Sequence, residues 1–170
     1  MRLGLSLANF TILHVIISLI GIVAGLVAVY GMINGKLVEK WTTLFLLTTV
    51  LTSVTGFMFP FEHLLPSHKV GAISLVVLAA ALLAKYSFHL AGGWRKTYVL
   101  TAVLALYLNC FVLVVQLFLK VPALHALAPH GQEPPFLIAQ LALLAVFVGL
   151  AIAAVRGFRS ANLELLRRAA

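Results

Sequence analysis

The chain has 170 residues, of which 63% are hydrophobic and only 9% charged, and its mean hydropathy is +1.13. Soluble domains are about half apolar and a quarter charged, so this composition excludes an ordinary soluble domain and indicates an integral membrane protein. At about 20 residues per membrane helix, the length leaves no room for a separate soluble domain. The net charge of +8 could attract nucleic acid, but in a membrane protein it must first be tested against loop orientation.

Five continuous apolar stretches predict an all-α bundle of five transmembrane helices in a single domain. They cover residues 10–33, 41–59, 70–90, 98–119 and 135–155. Their apolar runs do not alternate with polar residues, which favours helices over the strands of a membrane barrel. Lys85, near the end of the third stretch, can extend its side chain to the lipid headgroups. Residues 156–170 are predicted to form a short basic amphipathic helix at the inner surface, with a solvated charged end as the alternative.

Positive charge predicts the orientation of the bundle. Five spans place the termini on opposite sides, and the positive residues then divide into three on one face and nine on the other. The smaller set is Arg2, Lys69 and Lys120; the larger is Lys36, Lys40, Lys85, Arg95, Lys96, Arg156, Arg159, Arg167 and Arg168. The positive-inside rule makes the second face cytoplasmic, with the N-terminus outside, in a bacterial inner membrane. Because orientation accounts for the excess charge, we expect the lipid bilayer and no nucleic acid as a partner.

Histidines are the main chemical signal in this apolar chain. Five of the six lie toward the predicted outer face: His14, His63, His68, His125 and His130. A histidine inside a membrane span needs a partner, and His14 is four residues inside the first span. His68 begins the third span, which runs parallel to the first, so the two differ in depth by about 6 Å. Two facing imidazoles can hold one haem iron, although a merely hydrogen-bonded His14 is the alternative.

Small residues continue along the face of the first span that carries His14. Ser18, Gly21 and Gly25 follow it at offsets of 4, 7 and 11 residues, which lie on one side of a helix. This stripe could admit a flat macrocycle. Gly21 and Gly25 also form a small-xxx-small pattern that is typical of close packing between membrane helices, so both interpretations stay open.

Three consecutive segments resemble the haem-carrying core of the cytochrome b561 family. They are LHVIISLIG at residues 13–21, GFMFP at 56–60, and LLPSH at 64–68 followed by Gly71. The resemblance covers residues 10–90 and implies that His14 and His68 ligate one haem b, with Gly71 in contact with it, in a membrane electron-transfer protein. The family's second haem pair lacks its ligand here, because the second span begins Glu39-Lys40-Trp41 without a histidine. One haem near the outer face is therefore expected.

Amides are the main polar groups of the last two spans. Asn109 and Gln116 lie seven residues apart on the fourth span, with Thr101 eight before Asn109, and Gln140 lies near the outer end of the fifth. Such groups commonly hydrogen-bond neighbouring membrane helices. Alternatively, Gln116 and Gln140 could bind a quinone headgroup or another small polar molecule beside a haem.

Two other histidine patterns suit a metal. His63 and His68, with Glu62 nearby, and His125 with His130 could hold zinc or copper. The chain contains no aspartate, which excludes a Ser-His-Asp site, and its lone Cys110 excludes an internal disulfide. The leading hypothesis is a one-haem electron carrier. The alternatives are a small transporter, channel or metal-handling protein, or an accessory subunit that packs against larger membrane partners or a second copy.

Overall fold

A computed structural model describes residues 6–59 and 66–169, with side chains for residues 6–59 and 68–158. The described residues form helices and turns without a strand, which confirms the all-α prediction. The elements are α1 (Leu7–Ile33), α2 (Glu39–Gly56), α3 (Pro66–Leu82), a π-helical turn (Leu83–Ser87), α4 (Trp94–Lys120), α5 (Pro122–Leu127) and α6 (Pro134–Ala169). Ser6 caps α1 by accepting a hydrogen bond from the backbone N–H of Asn9 at 3.2 Å.

Four segments among the described residues are long and apolar enough to cross a membrane. They are Leu7–Ile33, His68–Ser87, Trp94–Lys120 and Pro134–Phe158. The chain is therefore an integral membrane protein with four helices of this kind, whereas the sequence predicted five. The second predicted span, α2, is not among the four helices, because its 18 residues include Glu39, Lys40 and seven threonines or serines.

The neighbour of α2 along most of its length is α1. Thr55 lies beside His14, Thr48 beside Gly21, and Val38 beside Gly31. Residue numbers thus rise along α1 as they fall along α2, so the two helices are antiparallel. On its other side α2 packs against α3.

The centre of the bundle is α4, which packs against α1, α3 and α6. Buried alanine and phenylalanine side chains lie in the core together with some leucine, isoleucine and valine side chains, whereas most exposed large hydrophobic side chains are leucine, isoleucine and valine. Ala24, Ala102 and Ala105 are fully buried, but Ile138 and Val76 are 65% and 71% exposed. An outer surface of this kind suits lipid, since soluble monomers rarely expose large contiguous apolar areas.

Antiparallel packing divides the bundle into two ends. We call the end that carries His14 and His68 the histidine end, and the opposite end, which carries Lys85, the lysine end. The turn from α3 to α4 lies at the lysine end. There, the π-helical turn ends at Ser87, three residues before the predicted end of the third span, and His89 and Leu90 adopt left-handed φ angles of 47° and 57°. Consecutive left-handed residues other than glycine are rare and cost free energy.

The last helix is one continuous element. Its 36 residues extend about 54 Å, which exceeds a bilayer of about 40–45 Å including headgroups. The predicted separate basic helix at residues 156–170 is thus a continuation of α6 as far as Ala169. Arg95 anchors α6 to α4, because its Nη1 donates to the Phe158 carbonyl at 3.3 Å and its guanidinium lies 4.9 Å from the Phe158 ring centroid.

The connection between α4 and α6 is ordered by Glu133. Its two carboxylate oxygens accept hydrogen bonds from the backbone N–H groups of His130 and Gln132, each at 3.0 Å. Desolvation alone would raise the pKa of Glu133, but these backbone donors outweigh it and lower the pKa below its ordinary value. Neither α5 nor this contact was predicted from the sequence.

Candidate functional site

The partner of His14 is a threonine of the neighbouring helix. His14 Nδ1 lies 2.8 Å from Thr55 Oγ1. That hydroxyl also lies 2.7 Å from the Leu51 carbonyl oxygen and 3.2 Å from that of Thr52. A carbonyl can only accept, so the hydroxyl donates its proton along α2 and accepts from His14 Nδ1–H. This assignment leaves the lone pair of His14 on Nε2.

Aromatic side chains at the C-terminal end of α2 contact both histidines of the predicted haem pair. The Phe59 ring meets the His14 ring edge-on, with centroids 5.2 Å apart, and the Phe57 ring lies 5.7 Å from that of His68. His68 is only 5% exposed. Each predicted ligand thus lies beside a phenylalanine that follows the C-terminal end of α2.

Side chains of α2 and α4 fill the small-residue stripe of α1. Ser18 Oγ donates to Asn109 Oδ1 at 2.8 Å. A Cβ atom on Gly21 would lie 3.0 Å from Thr48 Oγ1, 3.3 Å from Thr49 Oγ1 and 3.4 Å from Asn109 Nδ2. In this conformation the stripe serves close helix packing. Gly71, another predicted haem contact, lies under Phe57, because its added Cβ would be 3.1 Å from that ring.

The amides of the last two spans lie in different surroundings. Gln140 is 9% exposed and its Nε2 donates to the Phe111 carbonyl at 3.3 Å, which ties α6 to α4. Its Oε1 is buried and accepts no hydrogen bond from the described residues. Gln116 is half-buried, one turn before the end of α4. The interhelical role expected of buried amides thus describes Asn109 and Gln140.

The predicted loop metal sites gain no support in the described part of the chain. His63 and Glu62 lie outside the described residues, as do residues 60–65 of the family-like segments. His125 lies on α5, and His130 lies in the turn that Glu133 closes. Among the residues that the structure describes, no group of three or more histidine, cysteine, aspartate or glutamate side chains could hold a metal ion.

An ion pair between a buried lysine and a largely exposed glutamate at the lysine end is the feature that sequence reasoning missed. Lys85 was expected to reach the headgroups, but it is 8% exposed and its Nζ lies 2.5 Å from Glu39 Oε2. The buried side chains of Thr42 and Tyr98 lie close to this pair. The signal was present in the sequence, because Glu39 lies just before the second stretch and Lys85 lies near the end of the third. Adjacent antiparallel helices bring such positions together.

Comparison with protein-family models, with curated proteins and with solved structures finds no match for this chain. The resemblance to the cytochrome b561 family therefore stays a prediction from the quoted segments, and the case for function rests on the geometry of the two ends.

Proposed function

We propose that this protein is a membrane electron carrier that binds one b-type haem at the histidine end, with His14 and His68 as the axial ligands. The hydrogen bond from His14 Nδ1–H to Thr55 carries this proposal. A ligating histidine needs an unprotonated nitrogen for the metal and commonly donates its other N–H to a neighbouring acceptor. His14 already has this arrangement.

The imidazoles at the histidine end are suitable ligands for a haem iron. The small-residue stripe of α1 is less suitable for the macrocycle, because neighbouring side chains already fill it. His68 supplies a second imidazole, and Phe57 and Phe59 supply apolar surface beside both rings. Ser18 and Gly21 are already in contact with α2 and α4, so we now assign them to helix packing. When bound, haem would supply a one-electron couple. The chain would hold the iron, fix the His14 ring through Thr55 and keep water away.

An electron partner is suggested by Gln140. Its buried Oε1 can accept a hydrogen bond from a quinol hydroxyl. A second amide, Gln116, lies near the C-terminal end of α4. We therefore propose a quinone as the redox partner, with these two amides as its contacts.

We further propose that α2 is a fifth span. Its contacts with α1 extend from Val38 to Thr55, a rise of about 26 Å over 17 residues, close to the roughly 30 Å of a hydrocarbon core. Its low hydropathy does not count against this, because buried Thr and Ser face the bundle while Leu44, Leu47 and Leu51 are exposed. With five spans, the charge asymmetry places the N-terminus outside a bacterial inner membrane and the C-terminus inside.

Reporter fusions test this topology. A cytoplasmic reporter should be active after Ala170, and a periplasmic reporter should be active when inserted beside His130. The opposite pattern would reverse the orientation and place His14 and His68 at the cytoplasmic face.

The haem ligands are tested by variants purified in the presence of haem. His14→Ala and His68→Ala should each abolish the reduced b-type spectrum, because each removes one axial ligand. His89→Ala, His125→Ala and His130→Ala should leave it unchanged. A spectrum retained in both ligand variants would reject the assignment.

The role of Thr55 is tested separately. Thr55→Val removes the acceptor for His14 Nδ1–H and should weaken haem affinity by about 10–100-fold, the usual effect of losing such a partner. Thr55→Ser should restore it, and Thr43→Val, on the exposed side of the same helix, is the matched control. Equal affinity in Thr55→Val and Thr43→Val would show that Thr55 does not position the ligand.

A further inference from the structure

Buried polar side chains follow one side of α2 across the bundle. Thr42, Thr48, Thr49 and Thr55 belong to this row, and we call the row together with Ser18 of α1 and Asn109 of α4 the polar seam. Thr55 lies beside His14, and Thr48 and Thr49 lie beside Gly21 and Asn109. Thr42 and Thr49 are each 1% exposed. The seam has titratable groups at both ends: His14 at the histidine end, and the Glu39–Lys85 pair at the lysine end.

Hydrogen bonds and close contacts occur in the half of the polar seam that lies nearer the histidine end. Thr55 is bonded to His14, and Ser18 is bonded to Asn109. Gly21 brings Asn109 close to Thr48 and Thr49, since a Cβ at that position would lie within 3.4 Å of all three side chains. The missing side chain of Gly21 thus allows polar groups from two helices to meet inside the membrane span.

An apolar layer interrupts the seam halfway. Phe45 and Leu106 are fully buried and close over Gly25, where an added Cβ would lie 2.8 Å from Phe45 Cδ2 and 2.6 Å from Leu106 Cδ1. Below this layer the seam resumes with Thr42 and Tyr98. Their buried hydroxyl oxygens lie near each other.

The size and chemistry of the seam select what could pass. The spacing at Gly21 leaves no room for a hydrated metal ion or an organic solute. Thr48, Thr49 and Thr55 donate to carbonyl groups of their own helix, so each oxygen keeps a lone pair that can accept a hydrogen bond. A proton passes such a group when the hydroxyl takes up a proton from one neighbour and releases its own proton to the next. Ionisable groups inside a membrane bundle often mark proton relays.

We propose that the polar seam conducts protons between the two ends of the bundle and that Phe45 and Leu106 form its constriction. A proton taken up at one end is matched by one released at the other, and no electron moves with it. This inference does not depend on haem, and its test measures proton flux rather than absorbance, so either proposal can fail alone.

The test uses the full-length protein in liposomes with a trapped pH-sensitive dye, an imposed pH gradient, and valinomycin with potassium to balance charge. Wild-type vesicles should equilibrate faster than protein-free vesicles. The double variant Thr48→Val and Thr49→Val should return flux to the protein-free rate, because it removes both central hydroxyls at nearly constant shape. Thr43→Val makes the same change on the lipid-facing side of α2 and should keep the wild-type rate.

A separate substitution tests the constriction formed by Phe45 and Leu106. Phe45→Ala should raise proton flux above wild type, while Leu47→Ala, on the exposed face, should not. Circular dichroism and size-exclusion profiles confirm that each variant is folded. Wild-type flux equal to that of protein-free vesicles overturns the proposal. Potassium efflux that rises with proton flux, measured without valinomycin, overturns it as well, because it would indicate a non-selective leak.

Discussion

The two ends of the bundle bury polar groups in different ways. At the histidine end, His14 donates to the neutral hydroxyl of Thr55, and one phenylalanine ring lies beside each imidazole. At the lysine end, full charges are paired, and the backbone nearby is π-helical and then left-handed. A neutral hydrogen bond leaves a ring nitrogen available for a ligand, whereas a buried ammonium requires its carboxylate. The histidine end is therefore suited to binding, and the lysine end depends on its ion pair for stability.

The largest expected loss of stability follows from breaking that ion pair. Glu39→Gln should lower the free energy of unfolding by about 2 kcal/mol, less than the roughly 3–5 of a fully buried pair because Glu39 is 62% exposed. Lys85→Met should cost less, since it removes the buried charge itself. Unfolding in mixed micelles measures both, with Lys40→Met as the exposed control. An equal loss in Lys40→Met would contradict the special role of Glu39.

A similar but somewhat smaller loss of stability is expected at Gly25, where α1 packs against α2 and α4. Gly25→Ala places a methyl group against Leu106 and Phe45 and should cost about 1–2 kcal/mol through overpacking. Gly149 has nothing within 4 Å of an added Cβ, so Gly149→Ala should leave stability unchanged or raise it by up to about 1 kcal/mol. If thermal unfolding gives both variants the same midpoint, α1 does not pack on α2 and α4 as described.

The hydrogen bond between Ser18 and Asn109 should contribute less. Ser18→Ala removes the donor to Asn109 Oδ1 and should cost about 1 kcal/mol. A double-mutant cycle with Asn109→Ala isolates the pair, because the two losses should then add to more than the loss in the double variant. Strict additivity would show that the contact contributes nothing.

The smallest expected effect concerns the loop at the histidine end. The lowered pKa of Glu133 means that its carboxylate stabilises the folded loop at neutral pH. This contribution is lost as the pH falls below the ordinary value of 4.5 and through the lower folded value. Hydrogen exchange of the His130 and Gln132 amides should therefore become less protected in acid. Glu133→Gln should remove that pH dependence; if it persists in this variant, another group is responsible.

Hydropathy predicted the four apolar helices because membrane insertion depends mainly on composition along the chain. It did not reveal how α2 is oriented, since a sliding average cannot distinguish seven hydroxyl residues facing inward from the same residues facing lipid. The partner of His14 was missed for a related reason. His68 was predicted to be its partner, whereas Thr55 becomes its neighbour only through the antiparallel register of α1 and α2.

The glycines of α1 show a second reason why a sequence pattern alone did not identify the neighbouring groups. Gly21 and Gly25 are equally compatible with a macrocycle and with a neighbouring helix, and only the positions of Thr48, Phe45 and Leu106 distinguish these occupants. Lys85 was assigned to the headgroups because its sequence neighbours are apolar. Its actual surroundings come from the first turn of α2, which is 46 residues away in the chain.

The central claim, that the histidine end binds haem, is tested most directly by the absorbance of the purified protein before and after dithionite. The protein should be produced with ample haem and shown to be folded. We predict a Soret band and a reduced-minus-oxidised spectrum of a low-spin, bis-histidine b-type haem, at one haem per chain. A folded wild-type protein that shows no Soret band under these conditions would contradict the claim.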